Sequence, residues 1–341
     1  MHKTPVLFAT RVILVTSRVL LVVGALWITV ACTSGEGVKS SAASQDGRHA
    51  PFKEGQVIDT ATGQPVSFDQ WTGFLLQQDV IYLGEEHHNR FHIEAAMTVL
   101  RKLKAEGRIP VLAMEMFGWD GQAALDQYLS GSDMNRQEFL DAVMWQQNWG
   151  GPYEDYEPLV RLAKVEHWVV DAMNPPKALV RIVAKNGLAR AGSDPMMAQW
   201  GMKDEVIVDD PVYRTRILQQ LQACHGGGAD STYHAMFEAS MVRDEGMAKT
   251  LVHRLNQIRS GTNTMAGPLV SYTGGGHIQY NLPVPKRVAR RMADQVRQVS
   301  VYMTSFEMGR TEELQDMIRE RIADYLWLTP LSTQGPPRRC R

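Results

Sequence analysis

From Asp79 onward, short apolar runs alternate with amphipathic stretches. VIYLG (80–84) and PVLAMEMF (110–117) are apolar at consecutive positions, the pattern of strands buried on both faces. Between them Ile93, Ala96, Met97, Leu100 and Leu103 recur at three- and four-residue spacing, which predicts an amphipathic helix ending near Gly107. The same criteria give helices over WDGQAALDQYL and YEPLVRLAKVE, then a short strand WVVDAM (168–173). Helices follow near 176–186 and 211–224, and a long one runs from about Tyr233 to Ile258. PLVSYTG (268–274) and VSVYMT (299–304) are further strands, and TEELQDMIRERIADYL is a final helix. Ahead of all these, VIDTATGQPVSF holds two short β-like runs around the turn signal Thr62-Gly63.

Strands alternating with helices predict an α/β fold: a mostly parallel sheet with helices on both faces, in a single large domain with helical insertions. Such sheets bind ligands beyond the carboxyl ends of their strands. Three predicted strands end in polar groups: Glu85–His92 after the first, Glu115 near the end of the second, and GGGH (274–277) after a later one.

The 341 residues are 44% hydrophobic and carry a formal charge of −1, which gives no electrostatic reason for a nucleic-acid partner. Charge is informative only at the start, where residues 1–31 contain Lys3, Arg11 and Arg18 and no acid. A 13-residue apolar core follows Arg18, then Cys32, the layout of a secretory signal peptide over residues 1–31. TVAC (29–32) resembles a bacterial lipobox with Thr29 in place of the usual Leu, so Cys32 is the expected lipidation site. The alternative is an uncleaved anchor over residues 12–31, about the length of a bilayer span. Either way the folded part lies in the cell envelope, tethered to a membrane outside the cytoplasm. Residues 32–54 are small and polar and form a flexible linker to a domain over 55–330, with a disordered tail at 331–341. Cys224 and Cys340 are too few for a disulfide framework.

Within EEHHNRFH, an extended backbone points Glu85 and His87 one way and Glu86 and His88 the other. If a helix has begun by His88, then His88 and His92 share a face. Either pair has ligand types that suit a divalent metal, though the spacing is not that of H-E-x-x-H. Asn89 or His88 is the expected helix cap, and Glu86 and Arg90 are expected in solvent. Glu115, inside an apolar run, needs a cation such as Arg243 or a place in the site. The glycines before His277 let backbone approach a ligand, and Tyr280 follows three residues later. Arg243 and Asp244 also fit a plain surface charge pair. No G-x-S-x-G elbow or P-loop occurs.

Together these residues resemble the ChaN-like family, haem-binding uptake or iron-regulated lipoproteins of the Tiki superfamily. The resemblance rests on Gly84, Glu85, His87, Asn89 and His92, on Glu115, on MWQQNWGGPYEDYEPL and NPPKALV, and on Arg243, Asp244, Met247 and Ala248. It continues through GGGHIQYNLPVPKRV and DYLWLTP. His88 stands where the family has Asp, Ile93 where it has a second His, and Pro283 where it has Gly. The resemblance implies a haem-binding protein for iron uptake, with His87, His277, Tyr280, His88, His92 and Arg243 as ligand-binding candidates. Tyr153 and Tyr156 are further candidate axial tyrosines, and a homodimer that shares haem across its interface is a candidate assembly. The superfamily also contains metal-dependent hydrolases. In that alternative Glu85, His87 and His277 hold a divalent metal, with Glu85 and Glu115 as catalytic carboxylates and Glu115 as a base of raised pKa.

Overall fold

The structure, a computed structural model, describes residues 52–225, 227–262 and 265–332. The expected signal peptide, Cys32, the linker up to residue 51 and the tail from 333 lie outside the described residues. Cys224 is disulfide-bonded, and its partner lies outside the described residues. Phe52, expected in the linker, packs against the cluster around Ile58 and Leu314.

Eight strands form one sheet: β1 (Val57–Asp59), β2 (Gln64–Val66), β3 (Val80–Glu85), β4 (Ile109–Gly118), β5 (Val170–Asn174), β6 (Ala266–Gly274), β7 (Gln298–Ser305) and β8 (Tyr325–Thr329). Their order is β2-β1-β8-β7-β3-β6-β4-β5. The six strands from β8 to β5 are parallel, and the β1–β2 hairpin adds antiparallel to β8. The predicted fold class is therefore the observed one.

Alternating side chains distribute the two layers of core. Ile81, Leu83, Leu112, Met114 and Val270 pack with helix Arg90–Ala105 on one face, while Val80, Tyr82, Val111, Ala113 and Leu269 pack with helices Asp230–Ser260 and Val284–Arg291 on the other. Each buried Val, Leu, Ile or Met among them contributes about 1.5–3 kcal/mol by leaving water, so a register slip would cost the whole set. The helical insertion lies between β5 and β6 and includes helices Lys177–Asn186, Pro211–His225 and Asp230–Ser260.

The chain's end departs from expectation. The last helix runs over Thr311–Arg319 only, and Tyr325 and Leu326, expected as its end, instead open β8. Arg321 adopts a left-handed conformation (φ 51°) that ends the helical path. Beyond it Leu326 and Leu328 face the Ile58 cluster while Trp327 faces Trp71 across the sheet. That alternation has period two, and pairing with both β7 and β1 satisfies the strand's backbone on each side.

Adjacent strands β3 and β6 leave the sheet in opposite directions: β3 connects through helix Arg90–Ala105 to β4, and β6 through helix Val284–Arg291 to β7. A crevice opens between such diverging connections at the carboxyl ends.

Candidate functional site

Strand register builds the site. Glu85 stands opposite Gly274, and Met114 opposite Tyr272, so Glu115 lies level with Thr273. Glu85 and Glu115 project to opposite faces of the sheet, as Leu83 and Ala113 do two positions earlier.

Glu85 is buried beneath the first face. Its Oε1 accepts from the Tyr156 hydroxyl at 2.8 Å and meets His87 Nδ1 at 2.8 Å, while Oε2 accepts from the Tyr272 hydroxyl at 2.6 Å. Burial, and then the Glu85 charge, push both phenols above their ordinary range, so they stay donors. His87 is the opposite case, with a side chain 42% exposed. Burial pulls its pKa down, but the bond to Glu85 and the charge of Glu115 outweigh that and raise it. The Trp149 ring stands edge-on to it at 4.9 Å.

Glu115 belongs to the second face. Its Oε1 pairs with Arg243 Nη2, and its Oε2 accepts from the Thr273 hydroxyl at 2.5 Å and the Gly274 N–H at 2.6 Å. His277 Nε2 approaches Oε1 at 3.4 Å, and His277 Nδ1 lies 2.6 Å from Asp244, which also accepts from the Tyr213 hydroxyl at 2.6 Å. Asn174 braces the group, donating to the Glu115 carbonyl at 2.7 Å and accepting from Arg243 Nε at 3.0 Å. Burial alone would raise the Glu115 carboxyl, yet His277 and Arg243 hold it well below the usual range. Burial likewise opposes the His277 cation, but Glu115, and then Asp244 against Arg243, lift it to about 9.

Glu85 thus pairs with His87, and Glu115 with Arg243 and His277; Glu85, His87 and His277 line one cavity, while Glu115 lines a second with His87. His87, His277 and Tyr280 line one cavity of about 940 Å³, whose apolar wall includes Tyr302, Met317 and Ile322. The Tyr280 hydroxyl donates to Glu320 at 3.1 Å, and the Arg216 guanidinium lies 4.1 Å from its ring centroid. His88 lies outside this cavity, bonded to Asp155 at 2.8 Å. His92 is placed elsewhere, fully buried: its Nδ1 accepts the Glu86 N–H at 2.9 Å, and burial lowers its pKa to about 4. Of the candidate tyrosines, Tyr153 is buried among Phe139 and Trp145 and Tyr156 is committed to Glu85, leaving Tyr280 at the cavity.

Three expectations need correction. Glu86 is not in solvent: it is buried and accepts from the Thr304 hydroxyl at 2.7 Å and Ser305 N at 3.1 Å. Asp244 is not a surface charge but the partner of His277. Glu115 is no base of raised pKa, since a carboxylate holding two cations and two hydrogen bonds accepts a proton poorly. Asn89 does cap helix Arg90–Ala105, accepting from Phe91 N at 3.0 Å. The divalent-metal alternative finds no support, because among the described residues no group of three or more His, Cys, Asp or Glu is placed to hold an ion. The two acids face opposite sides of the sheet, and their oxygens are already engaged.

Sequence reasoning missed Tyr272, Tyr213 and Asn174 and misplaced Asp244. Asp244 was within reach: Met241 three residues before it and Ala248 four after share its helical face, which is apolar.

The fold is similar to a solved ChaN of Campylobacter jejuni described as showing cofacial heme binding, with TM-score 0.60 and 18% identity over 81% of this chain and 98% of that one. Similarity to an erythromycin esterase mutant in its open conformation is weaker, with TM-score 0.39 and 12% identity over 73% and 76% of the two chains. No curated protein matches the chain in sequence. The family model for haem-binding uptake, Tiki superfamily, ChaN, matches residues 72–288, most of the folded part. The chain belongs to this haem-binding ChaN family.

Proposed function

We propose that this chain is a lipid-anchored protein of the cell envelope that binds haem for iron uptake, in the cleft at the carboxyl ends of its strands. The observation that carries the reading is one cavity of about 940 Å³ that brings His87, His277 and Tyr280 together, a volume in the range of cofactor sites. Haem needs an axial ligand, an apolar wall for the macrocycle and cationic anchors for two propionates. His87 fits the first need: Glu85 holds its Nδ1 and leaves Nε2 as the ligating nitrogen, the arrangement that orients metal-bound imidazoles. Tyr280 supplies a second oxygen ligand type, Tyr302, Met317 and Ile322 the wall, and Arg216 and His277 positive charge. Bound haem would supply the iron that the uptake role requires. The family membership and the cofacial heme binding of the Campylobacter relative support the same ligand.

Haemin titrated into the full chain should give a saturable Soret shift. His87→Ala should weaken it about tenfold or more, the loss of one good coordinate interaction, and Tyr280→Phe reports whether the tyrosine shares the iron. No saturable shift in the unmodified protein would end the haem reading. For the tether, Cys32→Ser should move the protein from the membrane fraction to the soluble one; retention in the membrane would favour the anchor over 12–31.

A further inference from the structure

The His87 ring is a shared wall. Behind it lies a second cleft of about 400 Å³, lined among others by Trp149, Pro175, Lys177, Val180, Arg181 and Arg243. Two sequence motifs without a role in the first cavity build it: MWQQNWGG supplies Trp149, and NPPKALV supplies Pro175, Lys177 and Val180. Lys177 and Arg181 stand one turn apart on helix Lys177–Asn186 and so share a face, and Arg243 enters from the long helix. Arg243 has Glu115 as its counter-ion. Lys177 and Arg181 pair with no acid among the described residues. Burial, and then the charges of Arg181 and Arg243, push the Lys177 ammonium below its usual range. Like charges gathered in one recess repel, and an anion placed among them removes that cost. The wall is mixed: the Trp149 indole, the Pro175 ring and Val180 are its apolar part, while its polar groups are already engaged, Glu115 with Arg243, His88 with Asp155 and Asn174 with Arg243.

We propose that this second cleft binds a small organic anion, a carboxylate or phosphate monoester carried on a flat apolar body. Lys177 and the Arg181 fork hold the anionic group, the fork in the bidentate geometry suited to either oxyanion. Trp149, Pro175 and Val180 cover the apolar body.

The test is calorimetric titration of the full chain with phenyl phosphate and with benzoate. Both should bind saturably, and the tighter of the two identifies the oxyanion. Inorganic phosphate, lacking the apolar body, should bind more weakly than phenyl phosphate. Lys177→Met and Arg181→Met should each weaken binding about tenfold, as expected for one charge-assisted hydrogen bond, and Arg181→Lys should restore part of the loss. Both side chains reach solvent, so the variants keep the fold. Haemin affinity should be unchanged in them, which separates this site from the first. The proposal is overturned if neither aromatic anion binds or if the methionine variants bind as well as the parent. It is also overturned if either variant lowers haemin affinity tenfold, which would assign these cations to the first cavity.

Discussion

In Glu115→Gln the unfolding free energy should fall by about 3–5 kcal/mol at neutral pH, the cost of removing one member of a buried ion group. The amide has nearly the shape of the acid, so the loss reports charge and not volume. Its oxygen can still accept from Thr273 and Gly274, but its NH₂ then faces the Arg243 and His277 donors that Glu115 now receives. The pH dependence gives an independent readout. His277 is raised from an unfolded value near 6.5 to about 9, so its contribution is fully present below 6.5 and lost as pH rises through 9. That shift corresponds to about 3 kcal/mol. Glu115 has the opposite sign: its carboxyl is depressed, so its contribution holds above the ordinary carboxylate range and is lost as pH falls through its folded value. The variant should therefore lose its acid limb and show a His277 titration moved from about 9 toward the ordinary imidazole value. Denaturant unfolding across pH 5–10 and imidazole NMR would check both. An unmoved His277 titration would mean that Asp244 alone holds the cation.

That Glu85, His87, Glu115 and His277 lie at one edge of the sheet was legible because it needs only local information. Apolar runs marked the strands, polar loops marked their ends, and a parallel sheet puts such ends on one edge. What local pattern could not show is that Glu85 and Glu115 face opposite layers, one toward Tyr156 and Tyr272, the other toward Arg243 and His277. That follows from the order β7-β3-β6-β4 and from which helix covers which face, and both are set by long-range pairing. Glu86 misled for the same reason, since its partners Thr304 and Ser305 come from a strand far along the chain. His92 had the right spacing for a ligand, but its position sends it into the core beneath its own helix cap. At the chain's end, helix-forming residues run on past Arg319, yet burial of Leu326 and Leu328 and two strand partners outweigh that local preference.

Gly274→Ala should keep the fold and reduce haemin affinity about tenfold or more. The backbone at Gly274 (φ −57°, ψ 141°) is open to any residue, so conformational freedom is not what glycine provides there. Space is. A Cβ would stand 2.6 Å from His87 Cε1 and 2.8 Å from its Nε2, with Glu115 Oε2 at 3.4 Å. The strand cannot retreat, being paired on both sides, with Glu115 bonded to the Gly274 N–H. His87 can, because its side chain is 42% exposed. It should swing outward and break its 2.8 Å contact with Glu85, at an overpacking cost of about 1–3 kcal/mol. Without Glu85 the imidazole loses the bond that raises its pKa, so its NMR titration should move down while haemin binding weakens. Gly73→Ala, on helix Phe68–Leu75 and outside the cavity, is the control, since a Cβ there also meets nothing within 4 Å. Equal haemin affinity in the two variants would show that the Glu85–His87 pair does not position the ligand. A loss confined to Gly274→Ala would locate that positioning at the point where β6 passes the imidazole.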